Sequence, residues 1–209
     1  MRTPRLVVLG LLGMVTLSGC AGAFAEAAPI EWTNSSVPVN TTSDGRSVIG
    51  AGNSVQTAST FTVNGPDAYT YDFAVVPNGG RAAVSSEGTD AGTTITLAVR
   101  DLQPGRSYGA HVHANACGPT GDDAGPHFQY EVDPVQPSVD PAFANPQNEI
   151  WLDFQTDADG AGTATATVPW TFPADRRPGS IVLHTEHTAV DPGVAGQAGG
   201  RAACVSVEF

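Results

Sequence analysis

Lysine is absent from this 209-residue sequence, and its nine basic residues are all arginines, set against 21 acidic ones. The formal charge of −12 at pH 7 excludes the broad basic surface that nucleic-acid phosphates require, so no nucleic-acid partner is expected. Such a charge favours solubility but repels anions at long range, so an anionic substrate would have to be attracted locally. Sustained helical spacing of apolar residues is missing too, which argues against a helical bundle. Only one hydrophobic run, residues 6–17, is of notable length, and nothing after it is long enough to span a bilayer.

That run has a specific setting. Arg2 and Arg5 precede it, and it is too short and wrongly flanked for a membrane span, so residues 1–19 read as a signal peptide. Its end, Leu17-Ser18-Gly19-Cys20, resembles the bacterial lipobox. In that reading Cys20 becomes the lipid-modified first residue of an extracytoplasmic, membrane-anchored protein. Cleavage after Ala23-Phe24-Ala25 is the alternative and gives a secreted, soluble product. Either way the two leader arginines are lost, leaving seven basic residues against 21 acidic ones, a formal charge of −14. With Cys20 lipidated, Cys117 and Cys204 remain. They can form one disulfide in an oxidising compartment or stay as buried thiols.

Residues 20–53 read as a tether and opening segment, rich in Ala, Ser, Thr, Asn and Gly. Asn34 and Asn40 begin glycosylation patterns, which a bacterial lipobox makes irrelevant. Residues 54–209 form one domain of short strands, expected at 55–63, 69–76, 81–86, 93–102, 108–113, 150–155, 163–170, 181–184 and 203–209. The polar–apolar alternation from Thr94 to Val99 is that of a half-buried strand. An all-β antiparallel sandwich or barrel follows. Two long connections interrupt it, 118–148 and 186–200, and each adjoins histidines.

All five histidines lie in the second half. His111 and His113 are two apart, so a strand places both rings on one face. Two neutral imidazoles are a good start for copper or zinc, although such a pair can also sit on a solvated surface. His127, in Gly125-Pro126-His127-Phe128, and His184, after Ile181-Val182-Leu183, are plausible third and fourth ligands.

Four blocks carry a resemblance. They are Gly109-Ala110-His111-Val112-His113 with Cys117-Gly118, then Ala124-Gly125-Pro126-His127-Phe128, Ile181-Val182-Leu183-His184, and Gly199-Gly200-Arg201-Ala202-Ala203-Cys204. In order and wording this resembles the copper–zinc superoxide dismutase family. The resemblance implies an eight-stranded Greek-key β-barrel or sandwich with copper held by His111, His113, His127 and His184. It implies a Cys117–Cys204 disulfide, and catalytic roles for His127, at the metal-bridging position, and for Arg201, beside the copper. The implied activity is dismutation of superoxide to dioxygen and hydrogen peroxide.

The sequence also departs from that family. Residues 129–148 contain Glu131, Asp133 and Asp140 but no histidine, so zinc is not expected. The pattern is that of copper-only members, in which an acidic side chain holds the free nitrogen of the former bridging histidine. Glu149 is the first choice for that role and Asp153 the second. His187 is spare: a surface residue, a supporting group or part of an unexpected metal site. Residues 186–200 carry only the acidic charges Glu186 and Asp191, so a positive steering patch would have to come from elsewhere. Arg176 and Arg177 are candidates, although a turn after Pro173 accounts for them equally well. The rival function is copper buffering or delivery on the same scaffold, and Arg201 is the feature that favours an enzyme.

Overall fold

Alternation of buried and outward residues, many of them β-branched, shapes the first sheet. In β4 (Gly92–Arg100), Thr93, Ile95, Leu97 and Val99 are buried while Thr94 and Thr96 face outward, the period-two pattern of a half-covered strand. Strand β8 (Gly162–Val168) pairs with it, and its outer threonines meet those of β4 hydroxyl to hydroxyl: Thr94 with Thr167 at 3.1 Å and Thr96 with Thr165 at 2.9 Å. Strands β1 (Asn53–Thr60) and β3 (Arg81–Thr89) complete a four-stranded antiparallel sheet of order β1-β3-β4-β8. The computed structural model describes residues 53–209. The signal segment, Cys20, the sites at Asn34 and Asn40 and the tether up to residue 52 lie outside the described residues. No helix among the described residues is long and apolar enough to cross a membrane.

The second sheet has the order β2-β10-β9-β6, from β2 (Ala68–Thr70), β6 (Ala110–His113), β9 (Ser180–His184) and β10 (Arg201–Ser206). Here both faces are covered, because every residue of β6 and β9 is buried. Ala110, Val112, Ile181 and Leu183 join Ile95, Leu97 and Val99 in the core between the sheets, each large aliphatic side chain contributing about 1.5–3 kcal/mol by leaving water. Val182, Cys204 and Ala124 form a small apolar cluster on the opposite face. The two sheets make a sandwich of eight strands. A two-residue pair, β5 (Ser107–Tyr108) with β7 (Phe154–Gln155), stands apart from them, and an isolated bridge joins Thr62 to Tyr69 of β2. Among the described residues no continuous ladder closes the sheets into a barrel.

Several strands differ in extent from expectation, the one expected at 108–113 dividing into β5 and β6 at Gly109, and three do so for visible local reasons. The strand expected at 69–76 stops at Thr70, because Asp72 nucleates a turn: its side chain accepts from the Ala74 amide, and its carbonyl from Val75 and Val76. The strand expected at 150–155 is reduced to β7. Ile150 and Leu152 still bond along the edge of β6, but the Asp153 carboxylate takes the Ala110 amide at 3.1 Å in place of a backbone carbonyl. The last strand begins earlier than expected, at Arg201, with a bulge between Arg201 and Ala203.

Candidate metal centre

The register of β6 and β9 brings the histidines together. His111 pairs with Val182 and His113 with Ser180, so both rings stand on the outer face with Val182 and His184. The bulge in β10 then sets Arg201 opposite His184, a use of the extra residue to re-aim a side chain. His127 arrives from the connection after β6 through a bridge to His113, and the Phe128 amide donates to the Val112 carbonyl at 2.8 Å. One ligand-capable atom from each of His111, His113, His127 and His184 lies within 4.8 Å of the others.

Three of these rings have their tautomers set by their partners. His113 Nδ1 is 2.9 Å from the Gly125 carbonyl, which only accepts, so Nδ1 carries the proton and Nε2 a lone pair. His127 Nδ1 donates to Glu149 Oε2 at 2.8 Å. His111 Nε2 lies 2.6 Å from Thr188 Oγ1, whose single proton goes to Asp153 Oδ1 at 2.8 Å; the imidazole is therefore the donor and Nδ1 holds the lone pair. The atoms left over, His111 Nδ1, His113 Nε2 and both nitrogens of His184, are buried and have no hydrogen-bond partner among the described residues. Buried polar atoms are rarely left so. Converging imidazole lone pairs without partners suit a single transition-metal ion, copper among them.

Burial favours the neutral form of His111, His113 and His184. It holds His111 and His113 well below the ordinary histidine range, reinforced in each by the neighbouring His127. His184 is pushed down to about 3, first by burial, then by His127 and the Arg201 guanidinium. Neutral rings are the metal-binding form.

The carboxylates separate by position. Glu149, 1% exposed, is saturated by three donors: His127 Nδ1 and Trp151 Nε1 (2.7 Å) on Oε2, and Gln129 Nε2 (2.8 Å) on Oε1. Asp153, the second choice for holding His127, is instead on the far side of the site. It reaches the amides of Ala110 and Thr188, the Thr188 hydroxyl and His187 Nδ1 (3.2 Å). The strand direction explains the split, since Trp151 bridges to His111 and residue 153 is carried past it. His187 itself is largely exposed. In the 129–148 connection, Asp133 is buried and held by Ser138 Oγ and the Val135 amide, and Asp140 accepts from the Ala142 amide. Among the described residues these carboxylates form no second metal-ligand group.

A cleft of about 300 Å³ opens onto the centre, lined by His127, His184 and Arg201 with the neutral amides of Gln129, Gln136 and Gln197 among its walls. The Arg201 guanidinium donates to the carbonyls of Gly121 (2.6 Å) and Gly125 (2.8 Å). Gly125 has a φ of 70°, and a Cβ there would meet Asn115 Nδ2 at 2.6 Å, so the turn that presents this shared carbonyl needs glycine. Cys117 and Cys204 form a disulfide with an 87-residue separation, tying the start of this connection to β10. Arg176 donates to the carbonyls of Gln129 and Tyr130 and lies over the Phe128 ring, while Arg177 donates to the Phe209 carbonyl. Both arginines pin neighbouring main chain, and neither lines the cleft. Thr188, Gln129 and Trp151 had no signal in the sequence, since each is an ordinary residue outside any recognisable motif.

No family model matches this chain, and no curated protein does. Among solved structures it is similar to the Cu/Zn superoxide dismutase from Brucella abortus, at 20% identity and a TM-score of 0.51, over 76% of this chain and 100% of that one. Two mutants of a SOD-like protein from Bacillus subtilis align at 18% identity, with TM-scores of 0.47 and 0.48, over 60% of this chain and 88% of theirs. The first likeness is one of fold: a sandwich of the copper–zinc superoxide dismutase type, here with a four-histidine cluster and no evident zinc-ligand set.

Proposed function

We propose that this protein is a copper-dependent superoxide dismutase that works without zinc, outside the cytoplasm, anchored to the membrane through lipid on Cys20. The observation that carries the reading is the placement of Arg201 opposite His184, at a cleft that opens onto four converging imidazoles. Bound copper supplies the one-electron cycle that oxidises one superoxide to dioxygen and reduces another to peroxide. His111, His113, His127 and His184 would hold it through the lone pairs identified above.

The chain's own residues do the rest. The Arg201 guanidinium donors not given to Gly121 and Gly125 can bind and orient a small anion. Arg201 gives local attraction to a protein whose net charge repels superoxide. His127 lines the cleft, and its Nε2, when not holding the metal, would carry one of the two protons that the peroxide-forming half-reaction needs. Glu149 fixes that ring through Nδ1, the nitrogen a second metal would otherwise take, and thereby replaces zinc as the group behind His127. In this reading the sandwich is the flattened form of an eight-stranded Greek-key barrel.

Copper titration of zinc-free mature protein, followed by a superoxide-consumption assay, tests the proposal. One copper per chain with activity that zinc does not raise is the expected result. Full copper occupancy without activity would leave buffering or delivery as the function.

A further inference from the structure

Thr188 is not part of any recognised motif, yet among the described residues it is the only hydrogen-bond partner of the His111 ring, with Asp153 Oδ1 3.7 Å from the same nitrogen. Its hydroxyl accepts from His111 Nε2 at 2.6 Å and donates to Asp153 Oδ1 at 2.8 Å, while its amide donates to Asp153 Oδ2 at 2.9 Å. Asp153 Oδ1 also takes the Ala110 amide, so one carboxylate binds strand β6 and the 186–200 connection together. The approach is close enough to require a glycine: a Cβ on Gly109 would fall 2.6 Å from the Ala198 Cβ, 2.7 Å from the Glu186 carbonyl and 3.2 Å from Thr188 Oγ1. Thr188 is buried, so water does not compete for its hydroxyl.

The direction of these bonds has a consequence. A carboxylate cannot donate, so the Thr188 proton is committed to Asp153 and the hydroxyl oxygen can only accept from the imidazole. His111 is thereby held with Nε2 protonated and its Nδ1 lone pair toward the other three rings. His113, two residues away on the same strand, points its Nε2 inward instead, because its Nδ1 is taken by Gly125. Two histidines on one strand face thus present different nitrogens to one point.

We propose that Thr188 is a positioning residue, whose hydroxyl, oriented by Asp153, fixes the His111 tautomer and locks the 186–200 connection to that ligand. The proposal rests on the reading above that His111 is a copper ligand, but its first test needs no metal. In the apo protein at neutral pH, long-range nitrogen–proton NMR correlation of the imidazoles reports which nitrogen of His111 is protonated. Wild type should show a single Nε2–H tautomer. Thr188→Val, which keeps the shape and removes the hydroxyl, should mix in the Nδ1–H form, and Thr188→Ser should restore the wild-type spectrum. Should the valine methyl prevent folding at this short distance, Thr188→Ala gives the same reading without the crowding.

Chelator competition then measures copper affinity, expected to fall roughly 10–100-fold in the valine or alanine variant and to recover in the serine one. A pure Nε2–H tautomer in a folded variant lacking the hydroxyl would overturn the proposal. So would failure of serine to restore the wild-type spectrum. If wild type binds no copper, the metal reading fails, while the tautomer result still decides the role of Thr188.

Discussion

Arg201 stands opposite His184 in the β9–β10 ladder, one step before a bulge that shifts the register of every later pair. Its guanidinium is further fixed by the Gly121 and Gly125 carbonyls, and the Gly125 oxygen also receives His113 Nδ1. The cation is therefore built into the same turn that orients a ligand-candidate ring. Arg201→Ala should lower the superoxide decay rate about 10- to 100-fold, the size expected for loss of a focused charge, with copper stoichiometry unchanged. Arg201→Lys should recover only part of the rate, because an ammonium cannot span two carbonyls in a fixed fork. Loss of copper in either variant would contradict the separation of roles.

Glu149 is buried with three donors on its two oxygens. Replacing it by Gln turns one oxygen into an NH₂ group that must face a donor on whichever side it lies. Each unsatisfied buried group costs about 1–3 kcal/mol, so Glu149→Gln should lower the thermal midpoint. It should also weaken copper binding roughly 10–100-fold, as loss of the group behind a metal-bound imidazole does. Calorimetry and chelator competition on the same preparation measure both.

The folded apo protein should be acid-sensitive in a defined window. His111, His113 and His184 are held below their ordinary value, His184 at about 3. As pH falls through about 6.5, the unfolded chain therefore takes up protons that the folded chain refuses, and stability drops. Above that pH these groups leave stability unchanged; for His184 the destabilisation is nearly complete toward pH 3. Urea midpoints of the apo protein between pH 8 and 4 should follow that curve. A flat profile would mean that the rings are hydrated and protonate freely.

The Cys117–Cys204 bond closes a long loop. In the chain-entropy treatment a crosslink of that span contributes about 4–5 kcal/mol. The paired Cys117→Ser, Cys204→Ser variant should show a corresponding fall in unfolding free energy. Copper affinity should weaken as well, since the bond tethers the connection that carries His127 and the Gly125 carbonyl.

Legibility in the sequence followed range. Alternation over Thr94 to Val99, a strictly local signal, located β4 and its buried face. The one-residue spacing of His111 and His113 located their shared face. The convergence of all four histidines needed the resemblance, because nothing within a strand says which distant strand lies beside it. Glu149 and Asp153 could not be told apart from their order along the chain. Their roles separate only when Trp151 bridges to β6 and carries Asp153 toward His111 and Thr188. The bulge that aims Arg201 was likewise invisible, because Arg201-Ala202-Ala203 contains no glycine or other bulge-favouring residue.

Pulse radiolysis of the copper-loaded mature protein, with chelator present to silence free copper, tests the central claim most directly. Superoxide should decay at a rate proportional to protein concentration, and more slowly in the Arg201→Ala variant at equal copper content. One copper per chain with decay no faster than in chelated-copper controls would contradict it.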